Sequence, residues 1–357
     1  MHASRSRREA PVNPVLVELT RGGHLESQHR GAVAVLDADG AVVASLGDID
    51  RPIFPRSAVK ALQALPLVES GAADALGLTD DELALACASH GGEPLHVSTA
   101  ASMLAKAGTD ATILECGVHW PSHLQSAQAL AARGERPGPL HNNCSGKHAG
   151  FVCVACRMAG ARDLRDFTRG YVDAAHPVMR EITAALATAT GCDLDAAPRA
   201  IDGCSIPTYG IPLRALALGF ARFGSGVGLP ESHARAARRL RDAMAAAPFM
   251  VGGSGRFDTR VIEHFGERVF CKVGAEAVYC AALPERGLGV AIKIDDGQTR
   301  AAEAAMAAVV ESALALDAGD AAFLRGLSDI MLRNWNGFEV GRLAATDALR
   351  TALQRGH

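Results

Sequence analysis

The chain has 357 residues, of which 48% are hydrophobic and 21% are charged, and its formal net charge is -3. These values are typical of ordinary globular enzymes and exclude a disordered or fibrous protein. A near-neutral balance with only 4% aromatic residues lacks the basic surface and stacking side chains of nucleic-acid binders. We therefore expect no nucleic-acid partner.

The first ten residues are basic, but no apolar run of signal-peptide length follows them. We interpret residues 1–10 as a disordered, solvated tail. No apolar stretch reaches the roughly 18 residues that suggest a membrane helix, so no membrane association is expected. The nine cysteines are an odd number, which favours reduced thiols or metal ligands over a disulfide framework. The sequence thus predicts a cytoplasmic protein.

The predicted elements begin with a hairpin over residues 14–47, where small and β-branched side chains alternate around an Asp-Gly turn. A helix is predicted from about Ser57, with a bend at Pro66. The pattern stays mainly helical to about residue 250. Two strands and a final helix are predicted after residue 269.

This order predicts an α+β fold in which an antiparallel sheet is flanked by helices and carries a mainly helical insertion. Residues 11–70 and 260–357 are assigned to a sheet lobe, and residues 71–259 to a helical lobe. The active site is expected between the two lobes.

Lysine is scarce, because 31 of the 36 basic residues are arginines. Arginine cannot lose its proton in a protein, whereas a buried lysine can become a neutral base or a metal ligand. A coding bias toward arginine is the alternative, and it accounts adequately for Lys106 and Lys293. The other three lysines are Lys60, Lys147 and Lys272.

Ser57 and Lys60 are three residues apart at a predicted helix start, so they project from the same face. A serine hydroxyl becomes a good nucleophile when a neighbouring neutral amine accepts its proton. Lys272 lies on a predicted strand and precedes Gly274 in a Lys-x-Gly pattern, the arrangement described for serine β-lactamases. The alternatives are a helix-capping serine with a solvated lysine, and an edge-strand lysine that faces solvent.

Two loops rich in Asn, Gly and Pro carry Cys144, Lys147 and Cys204. Two thiolates with a nitrogen ligand would suit zinc. A single cysteine in each loop lacks the Cys-x-x-Cys pairing of recognisable zinc sites, and buried small cysteines are common, so the residues alone favour cysteines without a metal. Cys153 and Cys156 have local Cys-x-x-Cys spacing, yet they lie in an apolar helical stretch and are interpreted as core residues.

A further hydroxyl and a glycine-rich segment complete the candidate site residues. Ser89 and His90 precede two glycines, in a loop that lets the backbone approach a ligand closely. Residues 251–259, VGGSGRFDT, lack the Lys-Ser/Thr ending of a phosphate loop. We interpret that segment as structural or close to the substrate.

Six segments in this order resemble the Rhizobium etli type of L-asparaginase, also called the asparaginase II or class 3 family. The resemblance covers nearly the whole chain, from about residue 14 to residue 340. The segments are PRSAVKALQA, ASHGGEPLH, HNNCSGKHAGF, DGCSIPTYGIPL, VGGSGRFDT and CKVGAEA.

The resemblance implies a fold like those of serine β-lactamases and glutaminases, a homodimer, and hydrolysis of L-asparagine to L-aspartate and ammonia. It also implies two Ser-Lys tandems, Ser57 with Lys60 and Ser89 with Lys272. In the mechanism we expect, Ser57 attacks the carboxamide carbon and Lys60 takes its proton.

The resemblance further implies a Zn2+ site made by Cys144, Lys147 and Cys204, with Asp202 close by through bound water. Arg56 is a candidate for binding the substrate's α-carboxylate, because arginine matches a carboxylate bidentately, although a surface arginine is an open alternative. His90 is a second candidate for substrate binding.

Two rival functions remain open. One is a glutaminase or another serine amidase on the same fold, since one methylene changes binding by only about 1–3 kcal/mol. The other is a non-catalytic zinc-binding protein. The two Ser-Lys pairs argue against the second rival, because metal binding alone does not need them.

Overall fold

The computed structural model describes residues 12–354. The predicted solvated tail, residues 1–10, lies outside the described residues. The described chain is a mixed structure of helices and antiparallel strands, as the sequence predicts.

Twelve strands lie within the described residues. They are β1 (Val15–Arg21), β2 (His24–Asp37), β3 (Val42–Leu46), β4 (Pro52–Ile53), β5 (Arg199–Ile201), β6 (Pro207–Tyr209), β7 (Ile211–Pro212), β8 (Phe270–Val273), β9 (Val278–Leu283), β10 (Leu288–Ile294), β11 (Asp329–Arg333) and β12 (Glu339–Ala345).

Sixteen α-helices accompany them. They are α1 (Lys60–Gln63), α2 (Leu65–Glu69), α3 (Ala72–Ala75), α4 (Asp80–Ala86), α5 (Pro94–Lys106), α6 (Leu124–Ala132), α7 (Ser145–Ala159), α8 (Leu164–Thr168), α9 (Pro177–Thr190), α10 (Leu213–Ser225), α11 (Glu231–Ala246), α12 (Pro248–Gly252), α13 (Phe257–Phe265), α14 (Thr299–Ala313), α15 (Ala318–Ser328) and α16 (Asp347–Gln354).

Strands from both ends of the chain form one eight-stranded antiparallel sheet. Its order is β11-β12-β1-β2-β10-β9-β8, and β3 pairs with β2. The long strand β2 joins two halves of the sheet, because its first residues pair with β1 and its last residues pair with β10. Gly31 lies at the junction, where a Cβ atom would be 2.3 Å from the Lys293 carbonyl oxygen. The crossing of the two halves therefore requires a glycine.

Helices cover both faces of the sheet centre, which explains why β9 is buried at all six of its residues. On one face α10 packs against β10, β2 and β9. On the other face the alanine-rich helix α14 packs against β10, β9, β12 and β1. Small side chains allow both helices to approach the strands closely. Because both faces are covered, β9 and most of β10 are buried rather than alternately exposed.

The predicted helix from Ser57 is interrupted near the residue that the sequence indicates. It begins as a 3-10 turn, Arg56–Val59, and continues as α1, while α2 begins at Leu65 with Pro66 in its first turn. A proline ring clashes with the carbonyl four residues earlier and lacks an N–H donor, so a continuous helix through Pro66 is unfavourable.

Two strand predictions need correction. The predicted hairpin over residues 14–47 is a three-stranded unit, because a further turn occurs at Gly22 and Gly23, both with positive φ. The first of the two strands predicted after residue 269 is also divided into β8 and β9. The chain reverses there through Glu276 and Ala277, which adopt left-handed φ values of 56° and 54° that residue propensities do not indicate.

Several elements of the fold are not predicted by the sequence patterns. The short strands β4 to β7 lie within or beside the region predicted to be mainly helical, and β11, β12, α15 and α16 follow the predicted final helix. The division into lobes, with boundaries after residues 70 and 259, stays a prediction.

The contact between α10 and β10 gives a test of this packing. A Cβ atom on Gly289 would lie 2.0 Å from the Ala217 carbonyl oxygen and 2.2 Å from the Ala221 nitrogen. Because both neighbours are backbone atoms, Gly289→Ala should lower the free energy of unfolding by about 1–3 kcal/mol or more. The measurement is urea unfolding.

Gly326→Ala is the matched control. Gly326 lies in α15 and a Cβ atom there meets nothing within 4 Å. Alanine is favoured over glycine in a helix by about 1 kcal/mol, so this variant should be neutral or more stable. Equal destabilisation by both substitutions would contradict the close approach of α10 to the sheet.

Candidate functional site

Three of the five lysines are almost completely buried in one region. The exposed fractions are 1% for Lys60, 2% for Lys147 and 0% for Lys272. Burying an ammonium group is costly unless it is paired or loses its proton. Three such side chains therefore mark this region as chemically specialised.

Lys60 stands at the start of α1 and reaches across to two other segments. Its Nζ is 2.6 Å from the Ala88 carbonyl oxygen, 3.3 Å from the Asn143 carbonyl oxygen and 3.0 Å from the Ser89 Oγ. The carbonyls can only accept hydrogen bonds, so they use two N–H groups of the amine. The third contact joins the amine to a hydroxyl, which can donate or accept.

The loop that carries Ser89 is held from both sides. The Ser89 amide donates to the Val251 carbonyl at 3.1 Å, and the Ser254 hydroxyl and amide donate to the Glu93 carboxylate at 2.6 and 2.8 Å. Gly253, with φ of 102°, allows this contact because a Cβ atom there would be 2.4 Å from Glu93 Oε1. The glycine-rich segment therefore packs directly against the Ser89 loop.

His90 has partners at both ring nitrogens. The Gly92 amide donates to Nδ1 at 3.1 Å, so Nε2 carries the hydrogen and faces the Ser145 Oγ at 3.0 Å. The Ser145 hydroxyl in turn donates to the Leu140 carbonyl. Burial lowers the pKa of His90 well below its usual value, which keeps the ring neutral. In this arrangement His90 fixes the loop, and its predicted contact with substrate stays a prediction.

Ser57 lies in the 3-10 turn before Lys60 and is half-buried. Within residues 12–354 no hydrogen bond joins its hydroxyl to Lys60, whose amine contacts Ser89 instead. The pairing of Ser57 with Lys60 therefore stays a prediction.

Arg56, next to Ser57, forms an ion pair with Asp202, with 2.5 Å between Nε and Oδ1. The carboxylate lies on the loop that carries Cys204. Burial opposes the charge of Asp202, but the Lys147 and Arg56 cations more than compensate and lower its pKa. This ion pair joins the Ser57 turn to the loop with the second site cysteine.

Gly274 explains the Lys-x-Gly pattern. A Cβ atom at this position would lie 2.5 Å from the Pro55 carbonyl oxygen and 3.1 Å from the Ala58 nitrogen. Only glycine lets the end of β8 approach the 3-10 turn so closely. The glycine thus brings the strand of Lys272 against the turn of Ser57.

Among the residues that the structure describes, Lys272 has one charged partner within ion-pair distance. Its Nζ donates to the Val273 carbonyl at 2.8 Å and lies 3.8 Å from Asp258 Oδ2. Burial lowers the pKa of Lys272 to about 7, because the Asp258 carboxylate only partly offsets burial and the Lys60 cation adds to it. Within the described residues no hydrogen bond joins Lys272 to Ser89, so that tandem also stays a prediction.

Cys144, Lys147 and Cys204 meet where α7 begins. The Lys147 Nζ is 3.0 Å from the Cys204 Sγ. A hydrogen bond between the thiols lowers the pKa of Cys144 and raises the pKa of Cys204. Gly146 allows α7 to pack here, because a Cβ atom on it would lie 2.4 Å from the Leu85 carbonyl oxygen.

The donor set of these three residues fits zinc, since two thiolates and a nitrogen are ligands that Zn2+ accepts. No group of three or more His, Cys, Asp and Glu side chains suited to a metal lies within residues 12–354. A zinc site here would therefore depend on the lysine nitrogen. Burial opposes the charge of Lys147, but the neighbouring sulfur atoms raise its pKa, so a cation would have to displace a proton.

Backbone strain is concentrated at this site. Four non-glycine residues of the described chain have positive φ: Arg56, Ser205, Glu276 and Ala277. Arg56 precedes Ser57, Ser205 follows Cys204, and the other two follow the Lys-x-Gly pattern. Such conformations cost roughly 1–3 kcal/mol each and persist where the surroundings enforce them.

A surface cavity of about 370 Å³ adjoins the Ser57 turn. Its lining includes Phe54, Arg56, Ile201, Glu276 and Lys293. The mixture of charged and apolar groups is suited to a small polar ligand.

Asp258 and Tyr279 also lie in this region, and the sequence patterns do not predict them. Asp258 is 2% exposed and pairs with Lys272, and Tyr279 donates to the Asp258 carboxylate. The available signal was the acidic residue in VGGSGRFDT, but its partner lies 14 residues later on a strand. Spacing alone does not predict that contact.

All nine cysteines lie within the described residues as free thiols. None of the helices in residues 12–354 combines the length and apolar character needed to cross a lipid bilayer.

Comparison with known proteins gives one family. No curated protein matches the sequence. A solved structure described as "Crystal Structure Analysis of Mglu" shares 15% sequence identity with the chain, covering 76% of this chain and 64% of that one, at a TM-score of 0.33. The chain thus spans less than two thirds of that structure, and a likeness this weak supports no argument about fold or activity. The model of the family described as L-asparaginase II matches residues 17–345. Because this match covers almost the entire chain, the protein belongs to the L-asparaginase II family, a family of amidohydrolases.

Proposed function

We propose that the protein hydrolyses L-asparagine to L-aspartate and ammonia through a serine acyl-enzyme. The observation that carries the proposal is the contact at 3.0 Å between the buried Lys60 amine and the Ser89 hydroxyl, beside the Ser57 turn. A buried amine bonded to a hydroxyl and two carbonyls is suited to accept and return protons. Membership of the L-asparaginase II family supports the choice of substrate.

Ser57 is the proposed nucleophile, because it is half-buried rather than sealed in the core and precedes the base by three residues. Its Oγ bonds to the carboxamide carbon while neutral Lys60 accepts its proton. The tetrahedral intermediate then collapses and the carbon–nitrogen bond breaks. The leaving nitrogen takes a proton and departs as ammonia, which leaves an aspartyl ester on Ser57.

Water completes the reaction. The base removes a proton from water as its oxygen attacks the ester carbon, and the serine oxygen recovers a proton as it leaves. Ser89 relays protons to and from Lys60, which it contacts directly, and Lys272 supplies a second amine. Backbone N–H groups at the helix start stabilise the negative oxygen.

Arg56 is the proposed ligand of the substrate's α-carboxylate. Its Nε donates to Asp202, but a guanidinium has five N–H donors, so others remain for a ligand. Arg56 also lines the surface cavity of about 370 Å³. His90 contributes by holding the Ser89 loop, and its direct contact with substrate belongs to the same proposal.

Cys144, Lys147 and Cys204 would hold Zn2+, with Asp202 near it through water. When bound, the zinc would supply positive charge that keeps both thiols ionised and the lysine neutral. The convergence of two sulfurs and one amine supports this proposal.

The type of fold, the oligomeric state and the cellular compartment are proposed from the resemblance to the asparaginase II family. We propose that the helices and antiparallel sheet form an arrangement like that of serine β-lactamases and glutaminases, that the protein is a homodimer, and that it works in the cytoplasm. The nine free thiols support a reducing compartment.

The nucleophile is tested by ammonia release from L-asparagine. Ser57→Ala and Lys60→Ala should each lower kcat by at least about 10³-fold, because a serine nucleophile and its base act as a unit. Ser89→Ala should lower kcat by about 10²–10⁴-fold through loss of the proton relay. Circular dichroism should show that each variant keeps its fold.

Ser98→Ala is the matched control, because Ser98 is exposed on α5 and its hydroxyl donates to the Leu95 carbonyl of the same helix. It should leave kcat unchanged. Near-normal activity of Ser57→Ala would refute the assignment of the nucleophile. Faster ammonia release from L-glutamine than from L-asparagine by the natural chain would instead favour the glutaminase alternative.

The metal proposal is tested by elemental analysis of protein purified without chelator. Cys144→Ser and Cys204→Ser should each lose bound zinc, because a serine hydroxyl is a much weaker zinc ligand than a thiolate. Cys156→Ser, on the same helix as Lys147, should retain it. Stoichiometric zinc in both site variants would refute this ligand set.

A further inference from the structure

The environment of Asp258 contains an unusual concentration of contacts. The side chain is 2% exposed. Its Oδ1 accepts a hydrogen bond from the Tyr279 hydroxyl, and its Oδ2 accepts one from the Val273 amide at 3.3 Å. An amide can only donate, and both oxygens act as acceptors, which is the pattern of an ionised carboxylate.

A buried carboxylate needs a counter-charge. Within residues 12–354 the only ion pair of Asp258 is with Lys272, at 3.8 Å between Oδ2 and Nζ. Among the same residues, Asp258 is also the only ion-pair partner of Lys272, whose amine otherwise donates to the Val273 carbonyl. Each group is therefore the other's charged partner.

The fold fixes this carboxylate independently of the lysine. Asp258 stands in the first turn of α13, where the helix dipole favours a negative charge. The Phe257 ring packs edge-on against the Tyr279 ring at 5.3 Å, which anchors the helix to β9. Tyr279 pairs with Val273 across the strands, so these two donors come from adjacent positions of the sheet. The Cys271 thiol, on the same strand as Val273, is a third donor, with its Sγ 4.0 Å from Asp258 Oδ1.

We propose that Asp258 is a positioning residue that keeps a proton on Lys272 and holds its amine in the buried site. The proposal rests on the proposed function, in which Lys272 takes part in proton transfer. In this role Asp258 does not touch the substrate. It maintains Lys272 as an amine that can still give up a proton near neutral pH.

Other charged or ionisable groups also influence the pKa of Lys272. The Asp258 carboxylate must offset those that lower it. The groups come from the loops and elements packed around Lys272, and are Lys60, Cys87, Cys144, Arg256, Cys271 and Cys280. The Arg256 cation, and Lys60 whenever it carries a proton, oppose a proton on Lys272. Burial does so as well, and lowers the pKa of this amine to about 7 even with Asp258 present.

The small number of lysines makes a direct test practical. Protein labelled with ¹³C at the lysine ε-carbon contains five labelled residues, and the spectrum of Lys272→Met identifies the signal of Lys272. Asp258→Asn should move the titration of that signal to lower pH by about 1–3 units, the effect expected when an opposite charge nearby is lost. Asp258→Glu should restore most of the shift.

Asp320→Asn is the matched control, because Asp320 pairs with His264 and Arg268 away from the site. An unchanged titration of Lys272 in Asp258→Asn would overturn the proposal. This result does not depend on asparagine hydrolysis, so failure of the proposed function remains distinguishable. If the protein is active as proposed, the alkaline limb of kcat/KM should also move to lower pH in Asp258→Asn.

A second variant decides the matter if Asp258→Asn does not fold. The double variant Asp258→Asn, Lys272→Met removes both charges and leaves none unpaired. It should regain the folded state at pH 7. A double variant as unfolded as the single one would show that Asp258 only supports Tyr279 and Val273, and would overturn its proposed role toward Lys272.

Discussion

The burial of three lysine amines in one region is the constraint on which the rest of the site depends. Desolvation disfavours each positive charge, and nearby cations repel one another. The three amines have different partners. Lys272 faces a carboxylate, Lys147 faces the sulfur of Cys204, and Lys60 contacts two carbonyls and a hydroxyl. Burial lowers the pKa of Lys272 to about 7, whereas the neighbouring sulfur atoms raise the pKa of Lys147.

Close packing of backbone segments makes this burial possible. Gly274 lets β8 meet the turn before α1, and Gly253 lets the glycine-rich segment meet the Ser89 loop. Gly289 lets α10 pack on the sheet that carries Lys272. The strained backbone at Arg56 and Ser205 adjoins the same region. The fold therefore stores local strain beside the groups with the proposed chemistry.

Sequence patterns indicated which lysines are candidates for the site, but not which contacts they make. The scarcity of lysine and the Lys-x-Gly pattern indicated Lys60, Lys147 and Lys272, because residue type and local spacing are visible in the chain. The mixed helical and antiparallel architecture followed from periodicity. The contact of Lys60 with Ser89, and that of Lys272 with Asp258, depend on the way distant segments pack, and no local pattern encodes these contacts.

Dependence on the packing of distant segments also explains the two errors in the predicted strands. Gly22 and Gly23 were visible as a turn signal within residues 14–47, but the alternation of side chains continued on both sides of them. The reversal after β8 uses left-handed Glu276 and Ala277, two residues whose propensities oppose that conformation. Tertiary contacts hold it, because the Ile294 amide donates to the Ala277 carbonyl and the Lys293 amine donates to the Glu276 carbonyl.

Attack of Ser57 on the substrate, with Lys60 as the base, is the step on which the proposed function depends. A diazoketone analogue of L-asparagine tests it most directly, because such a group alkylates the attacking oxygen and leaves a permanent mark. After inactivation, peptide mapping by mass spectrometry should locate the label on Ser57, and excess L-aspartate should protect the protein. A label on Ser89, or on any other residue, would contradict the claim.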